Sequence, residues 1–256
     1  MAHRVDTGFR ILVPHPTSSI ILTPPTIDDG RDVVAALNDP RVYMNLNGPP
    51  YPYTEDDYLG WYGVIEEAAR TSSEEMHAIE SSWQIAQEAA QNPGGCRKKW
   101  MGRSWWVSAI REVISERPET GEETKFLGEI TVRRSGFLFI LDEAERQKKT
   151  DENNSLEAGD PKILYEVGFY LIPECHGHGI MPMVLRTLIS EILIPYFNVQ
   201  RLVGIYFEHN IPSRKVFEKC GFEFATMAPD AITMSPAKTG RLEGLKVGIG
   251  VLTWQR

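Results

Sequence analysis

The sequence predicts an α/β protein with a mixed, partly parallel sheet, and three observations lead there. From Ile163 onward, strand-like and helix-like segments alternate, which is the order that helix crossovers between parallel strands produce. A glycine-containing stretch, His176-Gly177-His178-Gly179, sits where one of those strands gives way to a helix. The 256 residues, 42% of them hydrophobic, suffice for a sizeable core without disulfide or metal support.

Taken in order, Ile20-Ile21-Leu22 reads as a strand and Thr26-Ile27-Asp28-Asp29 as a helix start. Val33, Val34 and Leu37 follow at helical spacing until Asp39-Pro40 stops them. Residues 41–53, rich in proline and aromatics without a period, read as a loop beside a binding cleft, with Tyr51, Tyr53 and Trp61 as its wall. Thr54-Glu55-Asp56-Asp57 opens a long helix through Trp61, Ile65 and Ala68 towards Trp83 and Ala90, ended by Asn92-Pro93-Gly94-Gly95. Trp100 to Ile114 and Phe126 to Val132 read as strands, joined by a charged turn over 115–124. Residues 142–160 are almost wholly polar, which predicts a disordered or solvated insertion that interrupts the sheet without dividing the chain. The whole chain, 1–256, therefore reads as a single domain.

Ile163 to Ile172 is the next strand. Pro182 to Ile194 is a helix with Val184, Leu185, Leu188, Ile189, Ile192 and Leu193 on one apolar face, closed by Pro195. Leu202 to Phe207 is a strand, Pro212 to Cys220 a short helix ended by Gly221, and Phe222 to Met227 and Lys246 to Trp254 are the last strands. The expected sheet has about six to seven strands.

The net charge of −8 argues against nucleic-acid or anionic-membrane partners and fits a cationic substrate such as an amine. Cys96, Cys175 and Cys220 are odd in number and scattered, so a reducing compartment is expected: cytoplasm, with the nucleus equally compatible. No apolar run in the sequence reads as a membrane span, and residues 1–10 lack a secretory apolar core.

The chemistry concentrates at His176-Gly177-His178-Gly179-Ile180-Met181. Glycines there allow backbone turns that a Cβ forbids, and the free N–H groups opening the next helix form an anion site. About thirty residues later stands Asn210-Ile211-Pro212-Ser213, followed by a helix and Gly221-Phe222. Together these pieces resemble the GNAT acetyltransferases over roughly 162–226. With Glu166-Val167-Gly168-Phe169 before them, they look most like the RimJ/RimL branch, which acetylates protein N-termini and includes enzymes for small amines.

The resemblance implies acetyl-CoA as co-substrate, no metal, and a primary amine as acceptor, on a peptide N-terminus or a small molecule. It implies a central sheet splayed between the strands ending near Leu171 and Phe207. The backbone of Tyr170 and Leu171 would pair with the pantetheine arm, and N–H groups of Phe169 or Tyr170 would hold the oxyanion. His176, Gly177, His178, Gly179, Ile180 and Met181 would wrap the pyrophosphate, with Asn210 and Ser213 on the far side. His176 replaces a family Gln or Arg and Met181 a Gly or Ala, yet neither change removes a backbone donor. Phe217 stands where many members carry a tyrosine that protonates the leaving thiolate. A thiol of pKa about 8.5 leaves tolerably without it.

Glu166 is the leading base, Glu129 the second, and Tyr206 a candidate acid. Cys175, His176 and His178 lie too close in sequence to converge on a metal. Two other readings stand beside the transferase. One is a catalytically silent acyl-CoA-binding sensor, monomeric or homodimeric like the enzyme. The other is a Rossmann nucleotide binder, for which the glycines come too late and the following acid, Glu208, too far on.

Overall fold

The computed structural model describes residues 10–89, 99–102, 104–105, 107–117, 121–241 and 243–256. Among the described residues, nine strands form one sheet: β1 Ile11–Val13, β2 Ile20–Thr23, β3 Ser104–Trp105, β4 Ala109–Arg117, β5 Gly121–Arg134, β6 Leu164–Leu171, β7 Arg201–Phe207, β8 Glu223–Met234 and β9 Leu245–Gln255. Their order is β1-β2-β4-β5-β6-β7-β9-β8, with β3 paired to β5. Only β6 and β7 run parallel, joined by a helical crossover; every other pairing is antiparallel. The sheet exceeds the expected six to seven strands because β1 and β3, at three and two residues, are too short to carry an alternating pattern.

The charged segment expected as a turn is largely ladder. Ser115 pairs with Glu123, Glu116 with Glu122 and Arg117 with Gly121. The expected end of the long helix at 92–95 lies outside the described residues, as does Cys96.

Helices cover both faces. On one face, β5 and β6 bury Ile130, Val132, Tyr165 and Val167 against Val184, Leu185 and Leu188 of α5 (Ile180–Leu188) and Phe217 of α7 (Ile211–Lys219). On the other, Ala109 and Phe126 pack beneath Val33 and Leu37 of α1 (Gly30–Leu37) and Tyr58 of α3 (Glu55–Ala89). The short helix α2 (Pro40–Tyr43) lies within the segment read as loop. Another short helix, α8 (Pro236–Thr239), fills the β8–β9 connection.

The crossover helix corrects two expectations. It starts at Ile180, and it does not close at Pro195. A π-helical turn over Ile189–Leu193 hands the chain to α6 (Ile194–Phe197), where Pro195 falls in a first turn that needs no N–H from it. The 18 residues Ile180–Phe197 have mean hydropathy 1.5, enough by length and composition to cross a membrane. Here 61% of them is buried inside the fold, as expected of a core helix.

The polar stretch over 142–160 is solvated, with most of its residues exposed, but it is ordered. Most of it forms α4 (Glu143–Ser155), capped by Asp142, whose side chain accepts from the Glu145 N–H at 2.7 Å. What docks it is a polar group that no hydrophobic count registers. Buried Asn153 donates to the Leu164 carbonyl and accepts from the Leu164 N–H, both at 2.9 Å, so its amide completes the start of β6. Arg134 adds a bond of 2.6 Å to the Asn153 carbonyl.

Asn153→Ala removes the acceptor of the Leu164 N–H and leaves the Leu164 carbonyl with the Ser135 N–H alone, and should cost about 1–3 kcal/mol in urea unfolding. Lys148→Ala, on the exposed side of the same helix, should stay within about 0.5 kcal/mol of the parent. Equal effects from the two variants would disprove this docking role.

Candidate active site

The site begins where the sheet comes apart. β6 and β7 pair from Leu164↔Arg201 to Val167↔Gly204 and no further, although β6 runs on to Leu171 and β7 to Phe207. The bonds Ile172 N–H to Leu127 O (2.8 Å) and Ser135 N–H to Leu164 O (2.9 Å) fix which groups face which neighbour. Backbone groups alternate sides along a strand, so Tyr170 serves the β5 ladder while Phe169 and Leu171 turn their N–H and C=O into the gap. This moves the expected role of the Tyr170 backbone to its neighbours. His176 Nε2–H then donates to the Leu171 carbonyl at 3.0 Å, tying the glycine loop back to the strand.

Past β6, a 3₁₀ turn over Pro173–Cys175 leads into Gly177 (φ 80°) and Gly179 (φ 78°), both left-handed, which is where glycine is needed. Gly179 caps α5 with no side-chain bond, so the first N–H groups of that helix are left for a ligand. Ile180 and Met181 bury their side chains in the core, which anchors the loop while its backbone faces outward. His178 is exposed. Across the gap, Asn210 accepts from the Ser213 N–H at 3.2 Å and so caps α7.

Residues opposite one another in an antiparallel ladder share a face. The pairs Glu129↔Tyr170, Thr131↔Gly168 and Arg133↔Glu166 therefore line one side of the sheet, and all six border a cleft of about 1220 Å³. Both candidate bases lie there, in different states. Glu166 Oε1 accepts from Arg133 at 3.0 Å and Oε2 from the Ser135 hydroxyl at 3.2 Å. Glu129 has no cation opposite it. Burial pushes its pKa up to about 7, the adjacent Tyr170 hydroxyl pulls it back, and the Asp29 carboxylate raises it further. The Tyr170 hydroxyl is itself buried with no partner in hydrogen-bond geometry, and burial together with Glu129 holds its pKa well above that of an ordinary phenol. Burial likewise lifts Tyr53 to about 12.

Tyr206 borders the same cleft from another side. It lies on the opposite face in the core under α5 and α7, packed on Gly250, its hydroxyl beside Arg214. Tyr53 and Trp61 border the cleft as expected. Tyr51 instead stacks on Tyr43, ring centroids 4.2 Å apart.

Two pieces of the site were missed. Asp29, read only as part of a helix start, is bonded to Arg111 at 2.6 Å, 82 residues away. Buried Lys238 donates to the Leu46 carbonyl at 2.7 Å and so fastens a residue that borders the cleft. Such long-range pairings leave no local signal.

The sequence model described as "Acetyltransferase (GNAT) domain" matches residues 19–223. This chain belongs to the GNAT acetyltransferase family. Solved structures share the fold at low identity. The microcin C7 self immunity acetyltransferase MccE, in complex with acetyl-CoA and AMP, is 14% identical with a TM-score of 0.50, over 94% of each chain. RimJ from Mycobacterium smegmatis, in complex with CoA-disulfide, is 11% identical with a TM-score of 0.53, over 96% of this chain and 86% of that one. The ribosomal-protein-S5-alanine acetyltransferase from Vibrio fischeri is 14% identical with a TM-score of 0.51, over 96% of each. No curated protein matches the sequence.

In this GNAT chain, Phe217 has a structural account. Its ring lies 2.4 Å from where a Cβ on Gly204 would stand and packs 5.1 Å from Phe169 and from Phe222, at the point where the strands part.

Glu129 also makes a stability prediction. A folded pKa of about 7 against the ordinary 4.5 means the folded state prefers the protonated form. That contribution is complete below pH 4.5 and is lost as pH rises through 7. Between pH 5 and 8 the stability of Glu129→Gln relative to the parent should therefore rise by about 2–3 kcal/mol. Urea unfolding at both pH values checks this, and a pH-independent difference would refute the shifted carboxyl.

Proposed function

We propose that this protein is an acetyl-CoA-dependent N-acetyltransferase of the RimJ/RimL type acting on a primary amine, with its cofactor and acceptor halves working as one domain. One observation carries the reading. The parted strands β6 and β7 connect an uncapped helix start, suited to a pyrophosphate, with a half-buried glutamate whose pKa is about 7. Two structural neighbours are described with acetyl-CoA or CoA bound, which is in keeping with that use of the cleft.

Acetyl-CoA supplies an activated thioester. Residues 177–181 hold its pyrophosphate through backbone N–H groups, and the free edge at Phe169 and Leu171 takes the pantetheine as an added strand. The Phe169 N–H, turned into the gap, stabilises the oxyanion in this reading. Glu129 removes the amine proton as the N–C bond forms and the C–S bond breaks, giving an amide, the CoA thiolate and a protonated Glu129, whose proton then passes to the thiolate or to solvent. An α-amine of pKa near 8 needs little more help than a carboxylate of pKa about 7. Glu166, engaged by Arg133 and Ser135, positions this face and is the weaker candidate for the base.

Acetyl-CoA at a hundred times its dissociation constant should stabilise the chain by about 2.7 kcal/mol in thermal unfolding, with NAD and ATP giving no shift. Binding without thiol release on any amine would instead favour the silent sensor.

For an accepted amine, kcat/KM should rise with pH through about 7 as Glu129 loses its proton. Glu129→Gln should lose about 10²- to 10⁴-fold in rate together with that limb. Retention of the limb would remove Glu129 as the base.

A further inference from the structure

We infer that the acceptor is a monoamine borne on a bulky apolar body, and that Trp61 and Val64 select it. This inference rests on the acyl-transfer reading of the same cleft.

The first observation is the wall. Along α3, Trp61, Val64, Ile65 and Ala68 fall at i, i+3, i+4 and i+7, one helical stripe, and all four border the cleft. Trp61 is 47% exposed and Val64 63%, although one flank of the same helix buries Tyr58 fully. Large apolar side chains left open along a cleft continuous with a reactive carboxyl serve as a ligand wall.

The second observation is that the facing wall is fixed in advance. The segment joining α2 to α3 contributes Leu46 and Pro49 to the cleft, and it is fastened at both ends. Buried Lys238 holds the Leu46 carbonyl at 2.7 Å. The Asn38 side chain donates to the Tyr53 carbonyl at 2.7 Å and accepts from the Tyr53 N–H at 3.0 Å. A cleft held open by its own framework loses less on binding an apolar group than one that must be ordered.

The third observation is charge. The carboxylates bordering the cleft are Asp57, Glu129 and Glu166. Glu166 is engaged by Arg133 and Ser135. Asp57 accepts from the N–H and hydroxyl of Thr54 at 2.8 and 2.6 Å and stays ionised in the first turn of α3. Glu129, on the face of the parted strands, receives the reacting amine. A polyamine or amino sugar would bring further ammonium groups against the apolar wall, with one outlying carboxylate, Asp57, to meet them.

The test is calorimetric titration of the full chain loaded with CoA, using 2-phenylethylamine, a Phe-Ala-Ala amide, a Ser-Ala-Ala amide and spermidine. At least one phenyl-bearing probe should bind on the order of 10- to 100-fold tighter than the serine peptide and spermidine. Trp61→Ala should reduce that preference about tenfold, and Val64→Ser should reduce it in the same direction. Tighter binding of the amine than the peptide points to a small molecule, and the reverse to a chain terminus. Spermidine or the serine peptide binding as well as the phenyl probes overturns the inference, as does no binding by any probe, or a preference that survives both substitutions. Thiol release is read separately: apolar preference without release would sink the transferase reading, and with it the acceptor role, while leaving Trp61 and Val64 as the residues that select an apolar amine ligand.

Discussion

Two neighbouring strands in the middle of a nine-stranded sheet stop hydrogen bonding after Val167 and Gly204, and the site is organised around that break. Interior backbone groups of a sheet are costly to leave unpaired, so a gap there persists only if something holds it and something else satisfies it. The Phe217 ring does the holding: it occupies the space that a side chain at Gly204 would need and packs against Phe169 just past the fork. The exposed edge at Phe169 and Leu171 is partly satisfied by His176, and the remainder is available to an extended ligand. Phenylalanine in place of the family's frequent tyrosine thus costs a proton donor while keeping the wedge.

The electrostatics of the acceptor face follow from a second constraint. Arg111 is committed to Asp29 in a buried pair of 2.6 Å. Asp29 is further occupied by the Thr26 N–H, and Tyr58 donates to the Thr26 carbonyl. With Arg111 engaged there, Glu129 feels the residual negative field of Asp29 and the desolvation of its surroundings, and both act in the same direction. The acid is poised near neutrality by its burial first and by the Asp29 carboxylate second, while the Arg111–Asp29 pair pins α1 to the sheet.

What the sequence made legible was local. The left-handed glycines at 177 and 179, the Asn210 cap and the apolar stripe of the crossover helix are each encoded within one turn of chain, and the structure has them in place. The family resemblance rested on that stretch, and the domain match extends well beyond it to 19–223. The α4 helix was missed because its docking residue is an asparagine whose partners lie eleven residues on, at Leu164. Pro195 was read as a stop because a π turn, which resets the register of the helix, has no signature in a hydrophobic period. Glu166 and Glu129 sit on adjacent strands with the same alternation, so periodicity ranks them equally. The difference between them is Arg133 beside one and Asp29 near the other, which are tertiary facts.

The two faces of the sheet divide the work, and Gly168 is where they meet. The glycine loop and α5 build the first face, and Glu129, the tyrosines and α3 build the second. Gly168 is the first residue of β6 past its last pairing with β7, and its missing side chain would point to the acceptor face, where the Thr131 hydroxyl stands 3.4 Å from the position of a Cβ. A β-branched residue there would crowd Thr131 and fill the space between Glu129 and Glu166, the two acids that flank it along the ladder. The glycine therefore does for the acceptor side what Gly204 does for the wedge: it leaves out a side chain so that groups on opposite faces of one sheet can reach a common point. An acyl group delivered through the fork would arrive at that opening, with Glu129 two residues away on the neighbouring strand from Thr131.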